Sequence, residues 1–212
     1  MFNSIKYNKI NDLLIKSTKN TKIVAISKNH PKSSVIEAIN SGVKIFGENR
    51  VMEAKVKFED LKKERPDIKL HLTGPLQSNK VKEAVSLFDT FHTLDREKIA
   101  REFSKHKDKL ANKEIFIQVN TGEELTKSGV KPNELKDFIY FCRNEMELSI
   151  IGLMCIPPIQ EPAEKHFELL QSIGIKNNAL QLSIGMSNDY ETALKFKPTY
   201  IRLGTILFGK RI

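Results

Sequence analysis

Lys28 directly follows the apolar run Ile23-Val24-Ala25-Ile26-Ser27, so a strand there would end on an amine. A lysine amine in its neutral form attacks aldehydes, and partial desolvation or neighbouring cations favour that form. Towards the other end of the chain, Leu180-Gln181-Leu182-Ser183-Ile184-Gly185-Met186-Ser187 and Tyr200-Ile201-Arg202-Leu203-Gly204-Thr205 are strand-like runs that break into small-residue turns. Glycine lets a backbone come close to an anion and a hydroxyl adds a donor, so Ser187, Gly204 and Thr205 read as a phosphate cradle. Arg202, two residues before Gly204, carries a guanidinium that only donates hydrogen bonds. An amine facing a phosphate cradle suits a ligand that joins an aldehyde to a phosphate; a sugar phosphate with Lys28 as Schiff-base nucleophile shares the same logic.

Other strand ends supply further candidates: Glu48 and Asn49, Thr73-Gly74-Pro75, His92, Asn120, Met154 with Cys155. Taken alone, Gly47-Glu48-Asn49 and Thr73-Gly74-Pro75-Leu76-Gln77-Ser78 are turns followed by helix starts, with Ser78 a plausible cap. The two cysteines, Cys142 in a helical stretch and Cys155 just after a strand, have no Cys or His at metal-ligand spacing and read as reduced thiols. The five histidines are scattered, so a metal site is not expected.

These groups need a frame, and the period of the sequence provides one. Strands are expected at 23–27, 44–46, 69–72, 90–93, 115–119, 149–153, 180–183 and 200–203, with helical patterns between them and one more helix over 1–19. Helix starts are marked by the capping-box spacing Ser34-x-x-Glu37, by Asp95, by Lys131-Pro132 and by Ser187. Strict alternation argues for parallel strands with helical crossovers. The sequence after the first strand, Lys28-Asn29-His30-Pro31, offers no GxGxxG fingerprint. The expected fold is therefore α/β, a single (β/α)8 TIM barrel with an extra N-terminal helix, residues 1–212 forming one domain. In that fold phosphate usually sits in the loops after strands 7 and 8, where the two turns fall.

A net charge of +9 raises the question of nucleic acid, but the lysines are spread along the chain and interleaved with acids, as on a solvated helix face. No zinc-finger, helix-turn-helix or RNP-like pattern accompanies them. There is no run of about 18 apolar residues that would span a bilayer, and the first 22 residues lack the layout of a signal peptide. A cytoplasmic location, without membrane or nucleic-acid partners, is expected.

Together the pieces resemble the pyridoxal phosphate homeostasis protein family, whose fold looks like the N-terminal barrel of alanine racemase. The resemblance rests on Ala25-Ile26-Ser27-Lys28, Phe46-Gly47-Glu48-Asn49, His71-Leu72-Thr73-Gly74-Pro75-Leu76-Gln77-Ser78-Asn79-Lys80, Lys127-Ser128-Gly129, Gly152-Leu153-Met154, Gly185-Met186-Ser187-Asn188-Asp189 and Arg202-Leu203-Gly204-Thr205 with Phe208-Gly209, in family order. It implies that Lys28 carries pyridoxal 5′-phosphate as a Schiff base. Ser187, Gly204 and Thr205 would hold the phosphate, Arg202 would face the pyridine nitrogen, and Asn49 and Met186 would be pocket neighbours. It further implies a role in vitamin B6 homeostasis and amino-acid balance without evident catalysis, with apo-enzymes that use the same cofactor as partners. A monomer is expected, because no second, racemase-type domain follows the barrel. The alternative is a weak racemase-like enzyme in which Tyr190, Lys127 or His92 opposes Lys28. One departure from the family is that Lys28-Asn29-His30-Pro31 stands where Lys-Thr-Lys-Pro is common, which puts His30 at the position of a second lysine.

Overall fold

The computed structural model describes residues 2–17 and 20–210. Eight short strands, β1 (Lys22–Ile26), β2 (Ile45–Glu48), β3 (Lys69–Leu72), β4 (Thr90–Leu94), β5 (Glu114–Val119), β6 (Ile150–Cys155), β7 (Gln181–Ser183) and β8 (Tyr200–Leu203), pair in sequence order. Every pairing is parallel, and β8 returns to β1 with Val24 opposite Arg202, which closes the barrel. Helices α1 (Ser4–Ser17), α2 (Lys32–Asn40), α3 (Val51–Glu64), α4 (Val81–Leu87), α5 (Glu97–Ser104), α6 (Lys107–Leu110), α7 (Leu135–Tyr140), α8 (Ala163–Lys176), α9 (Tyr190–Leu194) and α10 (Thr205–Phe208) surround it. The expected barrel and its extra N-terminal helix are both present, each strand within two residues of its expected bounds.

Parallel strands buried on both faces tend to read as apolar runs, as β1 and β6 do, while His71, His92, Ser183 and Arg202 interrupt β3, β4, β7 and β8. The outward side chains, among them Phe46, Leu70, Phe91 and Leu203, pack under the helices in the main core. A second cluster, Val24, Phe116, Met154 and Tyr200, fills the barrel interior. The interior is not wholly apolar: His71, His92, Ser183 and Arg202 are buried there too.

The helix-start signals fare less well than the strands. Helix α2 starts at Lys32 behind Pro31, whose φ of −69° suits a helix entry, so Ser34 falls inside the first turn and makes no cap. Glu37, freed from the capping box, accepts the Phe2 N–H at 2.7 Å and ties the N-terminal segment to the barrel. Asp95 pairs with Arg96, and α5 begins two residues later at Glu97. Pro132 lies in a turn before α7, and Ser78 opens a short 3-10 segment without capping it. Cys155 ends β6 instead of following it, and burial pushes both thiols up to about 12. The N-terminal helix runs over Ser4–Ser17, with Met1, Thr18 and Lys19 of the expected 1–19 outside the described residues, as are Arg211 and Ile212. Among the described residues, no helix is long and apolar enough to cross a membrane, and no cluster of three or more His, Cys, Asp or Glu could hold a metal ion.

Candidate functional site

At the C-terminal ends of the strands a cleft of about 330 Å³ is lined by Ile26, Lys28, Asn49, Thr73, Ile156, Met186, Ser187, Asn188, Arg202, Gly204 and Thr205. All seven residues singled out from the sequence, Lys28, Asn49, Met186, Ser187, Arg202, Gly204 and Thr205, meet there. Two of the lining residues are cations and, among the described residues, none is a carboxylate.

Lys28 stands two residues past the end of β1, half-buried, in a turn whose next residue, Asn29, has a left-handed φ of 62°. On the β2 side, Thr73 Oγ1 donates to Asn49 Oδ1 at 3.0 Å and fixes that side chain at the rim. Gly74 is needed beside it: a Cβ there would stand 2.4 Å from the Asn49 carbonyl oxygen. The loop after β7 turns at Gly185, whose φ of +89° few other residues would tolerate, and Asp189 Oδ1 accepts the Met186 N–H at 2.5 Å. Ser187 Oγ accepts the Ile206 N–H at 3.3 Å, which joins this loop to the one after β8. The Arg202 N–H bonds the Gly185 carbonyl at 2.8 Å, a second tie between the two turns.

Arg202 points inward from β8 and is buried. Its Nη1 donates to the Ser183 carbonyl at 2.6 Å and to Ser183 Oγ at 2.7 Å, and Nη2 donates to the Cys155 carbonyl at 2.9 Å. Behind Ser183 the bonds continue to His92 Nδ1 at 2.8 Å and from His92 Nε2 to His71 Nδ1 at 2.9 Å. The guanidinium can only donate, so Ser183 Oγ accepts from Arg202; the directions of the two histidine bonds are set by the ring tautomers. Burial pushes His71 down to about 3, and burial together with His71 and Arg202 pushes His92 well below the usual histidine value. Both rings are therefore neutral near pH 7.

The other sequence candidates lie elsewhere. His92 is wholly buried in the barrel interior. Tyr190 is packed in the outer core, its hydroxyl donating to Glu191 at 2.9 Å, and Lys127 pairs with Glu124 at 2.7 Å. None of these three lines the cleft. Asn120 Nδ2 donates to the Glu124 carbonyl at 2.9 Å and holds its own loop. His30, standing where the family often has a lysine, is buried and stacks on Phe208 with ring centroids 5.3 Å apart.

Of the group that underlies Lys28, sequence reading named Glu48 as a strand-end candidate but passed over Glu53 and Lys57. Lys57 of α3 reaches Glu48 Oε1 at 2.9 Å, Glu53 Oε1 at 2.7 Å and the Ser27 carbonyl at 2.8 Å. The spacing of Glu53 and Lys57, four apart on one helix, was the available signal, but it is common on solvated helices and says nothing of burial.

The geometry agrees with what the chain is similar to. The family model for the alanine racemase N-terminal domain matches residues 6–211. The pyridoxal phosphate homeostasis protein of Aquifex aeolicus is 38% identical over 201 residues, covering 90% of this chain and 87% of that protein. The protein of the same name from Escherichia coli K12 is 34% identical over 201 residues, covering 89% and 85%. Among solved structures, PipY of Synechococcus elongatus PCC7942 with PLP bound is 30% identical with a TM-score of 0.83, covering 97% of this chain and 99% of that one. Alanine racemase of Clostridium difficile 630 shares the fold at 15% identity and a TM-score of 0.75, with 97% of this chain laid over 56% of that one. With the barrel, its cleft and relatives of this similarity along nearly the whole chain, the protein belongs to the pyridoxal phosphate homeostasis protein family, within the wider alanine racemase N-terminal domain family.

Proposed function

We propose that this chain binds pyridoxal 5′-phosphate in the cleft at the C-terminal face of the barrel and acts in vitamin B6 homeostasis and amino-acid balance as a carrier, without catalysis. The observation that carries the reading is a lining that brings an amine, a guanidinium and two hydroxyl-and-glycine turns together with no carboxylate among the described residues. That donor set fits the cofactor: the turns at Ser187, Gly204 and Thr205 suit its phosphate, Lys28 its aldehyde and Arg202 its pyridine nitrogen, with Asn49 and Met186 beside the ring. PipY, solved with PLP bound, supports the assignment.

When bound, the group supplies an electrophilic aldehyde carbon, with which a neutral lysine amine condenses and releases water. Lys28 is the amine in this reading. Arg202 offers the pyridine nitrogen only a donor, so that nitrogen stays unprotonated and the ring remains a weak electron sink. Racemisation needs an acid and a base on opposite faces of the reacting carbon. Tyr190, Lys127 and His92 all lie away from the cleft, which favours the carrier over the racemase-like alternative. The proposal includes a monomer in the cytoplasm that supplies apo-enzymes using the same cofactor.

The test is the visible absorption spectrum of purified protein before and after borohydride, with the reduced lysine located by peptide mass mapping. A label on the peptide holding Lys28, lost in Lys28→Ala, with no racemisation of amino acids above that variant, is the expected result. A protein that stays colourless and unlabelled after added pyridoxal 5′-phosphate overturns the assignment; turnover above the variant overturns the carrier role.

A further inference from the structure

Glu48 ends β2 wholly buried, yet it faces away from the cleft. Lys57 of α3 is buried against it, and the ammonium's three hydrogens are all engaged, on Glu48 Oε1, Glu53 Oε1 and the Ser27 carbonyl. The two carboxylates in turn hold the backbone and side chain on either side of Lys28. Glu48 Oε1 accepts the Ser27 hydroxyl at 2.7 Å, and Glu53 Oε1 accepts the Asn29 N–H at 2.5 Å. Residues 27 and 29 are thus pinned by three bonds from one ionic lattice, with Asn29 in the left-handed conformation that asparagine accepts more readily than most residues.

The lattice is poorly built for stability alone. Glu48 Oε2 is buried without a hydrogen-bond partner among the described residues. Desolvation raises the Glu48 pKa despite Lys57 and the Ser27 hydroxyl. A well-packed apolar pair is often as stable as a buried ion pair, or more so. What the lattice supplies that an apolar pair would not is directional hold on the Lys28 turn.

We infer that Ser27, Glu48, Glu53 and Lys57 form a positioning lattice that aims Lys28 into the cleft. The inference deepens the reading of Lys28 as the residue that condenses with the aldehyde, and rests on it. Condensation requires the amine within about 3–3.5 Å of the aldehyde carbon in the right direction. A four-carbon side chain magnifies any rotation at its root, so a fixed Cα–Cβ direction is the part of that geometry the backbone can set. The phosphate contacts expected of the loops after β7 and β8 do not run through the lattice, and Asn49, which follows Glu48 and would lie beside the ring, has its side chain held by Thr73 instead.

The experiment compares two probes on the full chain: pyridoxal 5′-phosphate, and pyridoxine 5′-phosphate, which has an alcohol in place of the aldehyde and cannot condense. In Lys57→Met the equilibrium affinity for the aldehyde falls about tenfold or more, a loss of about 1.4 kcal/mol, while that for the alcohol stays within about twofold. Should Lys57→Met fail to fold, Ser27→Ala and Glu53→Gln decide, each removing one strand of the lattice and lowering the aldehyde affinity about threefold with the alcohol again unchanged. Equal losses for both probes would mean that the lattice merely supports the barrel, and unchanged affinities that it has no bearing on Lys28; either overturns the inference. If wild-type protein binds aldehyde and alcohol equally and borohydride labels nothing at Lys28, the underlying reading fails first, and the two failures are told apart by that control.

Discussion

Each of the two cations in the cleft stands in front of a buried polar group, and the two groups are built on opposite plans. Behind Arg202 lies a neutral chain, Ser183, His92 and His71, inside the barrel. Behind Lys28 lies an ionic lattice, Glu48, Glu53 and Lys57, between β2 and α3. The neutral chain needs no counter-ion of its own, and it orients Arg202 without adding an acid to the cleft. The ionic lattice fixes the backbone on both sides of Lys28, at the cost of desolvating Glu48 and Lys57 and part of Glu53. Arg202 is held by its charged head, through bonds to Ser183 and Cys155, whereas Lys28 is held at its root, through the backbone of the residues on either side.

That contrast can be broken from either side. The largest effect is expected for Lys57→Met, which leaves Glu48 buried beside no cation. Loss of one partner of a buried pair destabilises by about 3–5 kcal/mol, read as a drop in the urea midpoint at unchanged slope. Acid separates the two groups next. The histidines have lowered folded values, so below about 6.5 the unfolded chain binds protons that the folded chain refuses, and stability falls as pH falls towards about 3 for His71. The slope is about 1.4 kcal/mol per pH unit for each histidine that stays neutral. The lattice carboxylates pull in opposite senses. Glu48 is raised by desolvation; at Glu53, desolvation is outweighed by the bonds from Lys57 and Asn29, which lower it. A denaturant series from pH 7.5 to 4.5 checks this, and a His71→Phe, His92→Phe double variant should flatten the curve. The smallest change is Ser183→Ala, which unpairs one Arg202 N–H and His92 Nδ1 for about 1–3 kcal/mol. Its loss of stability should be independent of the Lys57→Met loss, since the two groups share no partner.

Much of the frame was legible because it is local. Short strand-like runs between helical patterns mark parallel strands, apolar in β1 and β6 and interrupted by a polar residue in β3 and β8, and Gly185, Gly204 and their hydroxyl neighbours mark close approach of a backbone. Helix starts were legible only in part: the Ser34-x-x-Glu37 spacing is a sound signal, but Pro31 begins the helix earlier and Glu37 is drawn to the Phe2 N–H. His30, which on sequence stands in place of a cation, is spent in packing against Phe208.

The sequence by itself determined that strands and helices alternate eight times and that an amine, an arginine and two small-residue turns fall at strand ends, because period and punctuation act over a few residues. Eight alternating units led to the expected closed barrel, but they did not by themselves determine the pairing that closes it, since hydrogen bonds between Lys22–Ile26 and Tyr200–Leu203 join segments at opposite ends of the chain. Nor did they determine which strand-end groups face inward. Alternation gives each strand two faces but does not say which is which. In β2 the inward place falls to Gly47, whose Cβ would meet Ile26 and Val24, so Glu48 faces out beneath α3; in β8 it falls to Arg202. Only the closed barrel fixed that choice, and with it placed one cation over a chain of neutral histidines and the other over a lattice of charge.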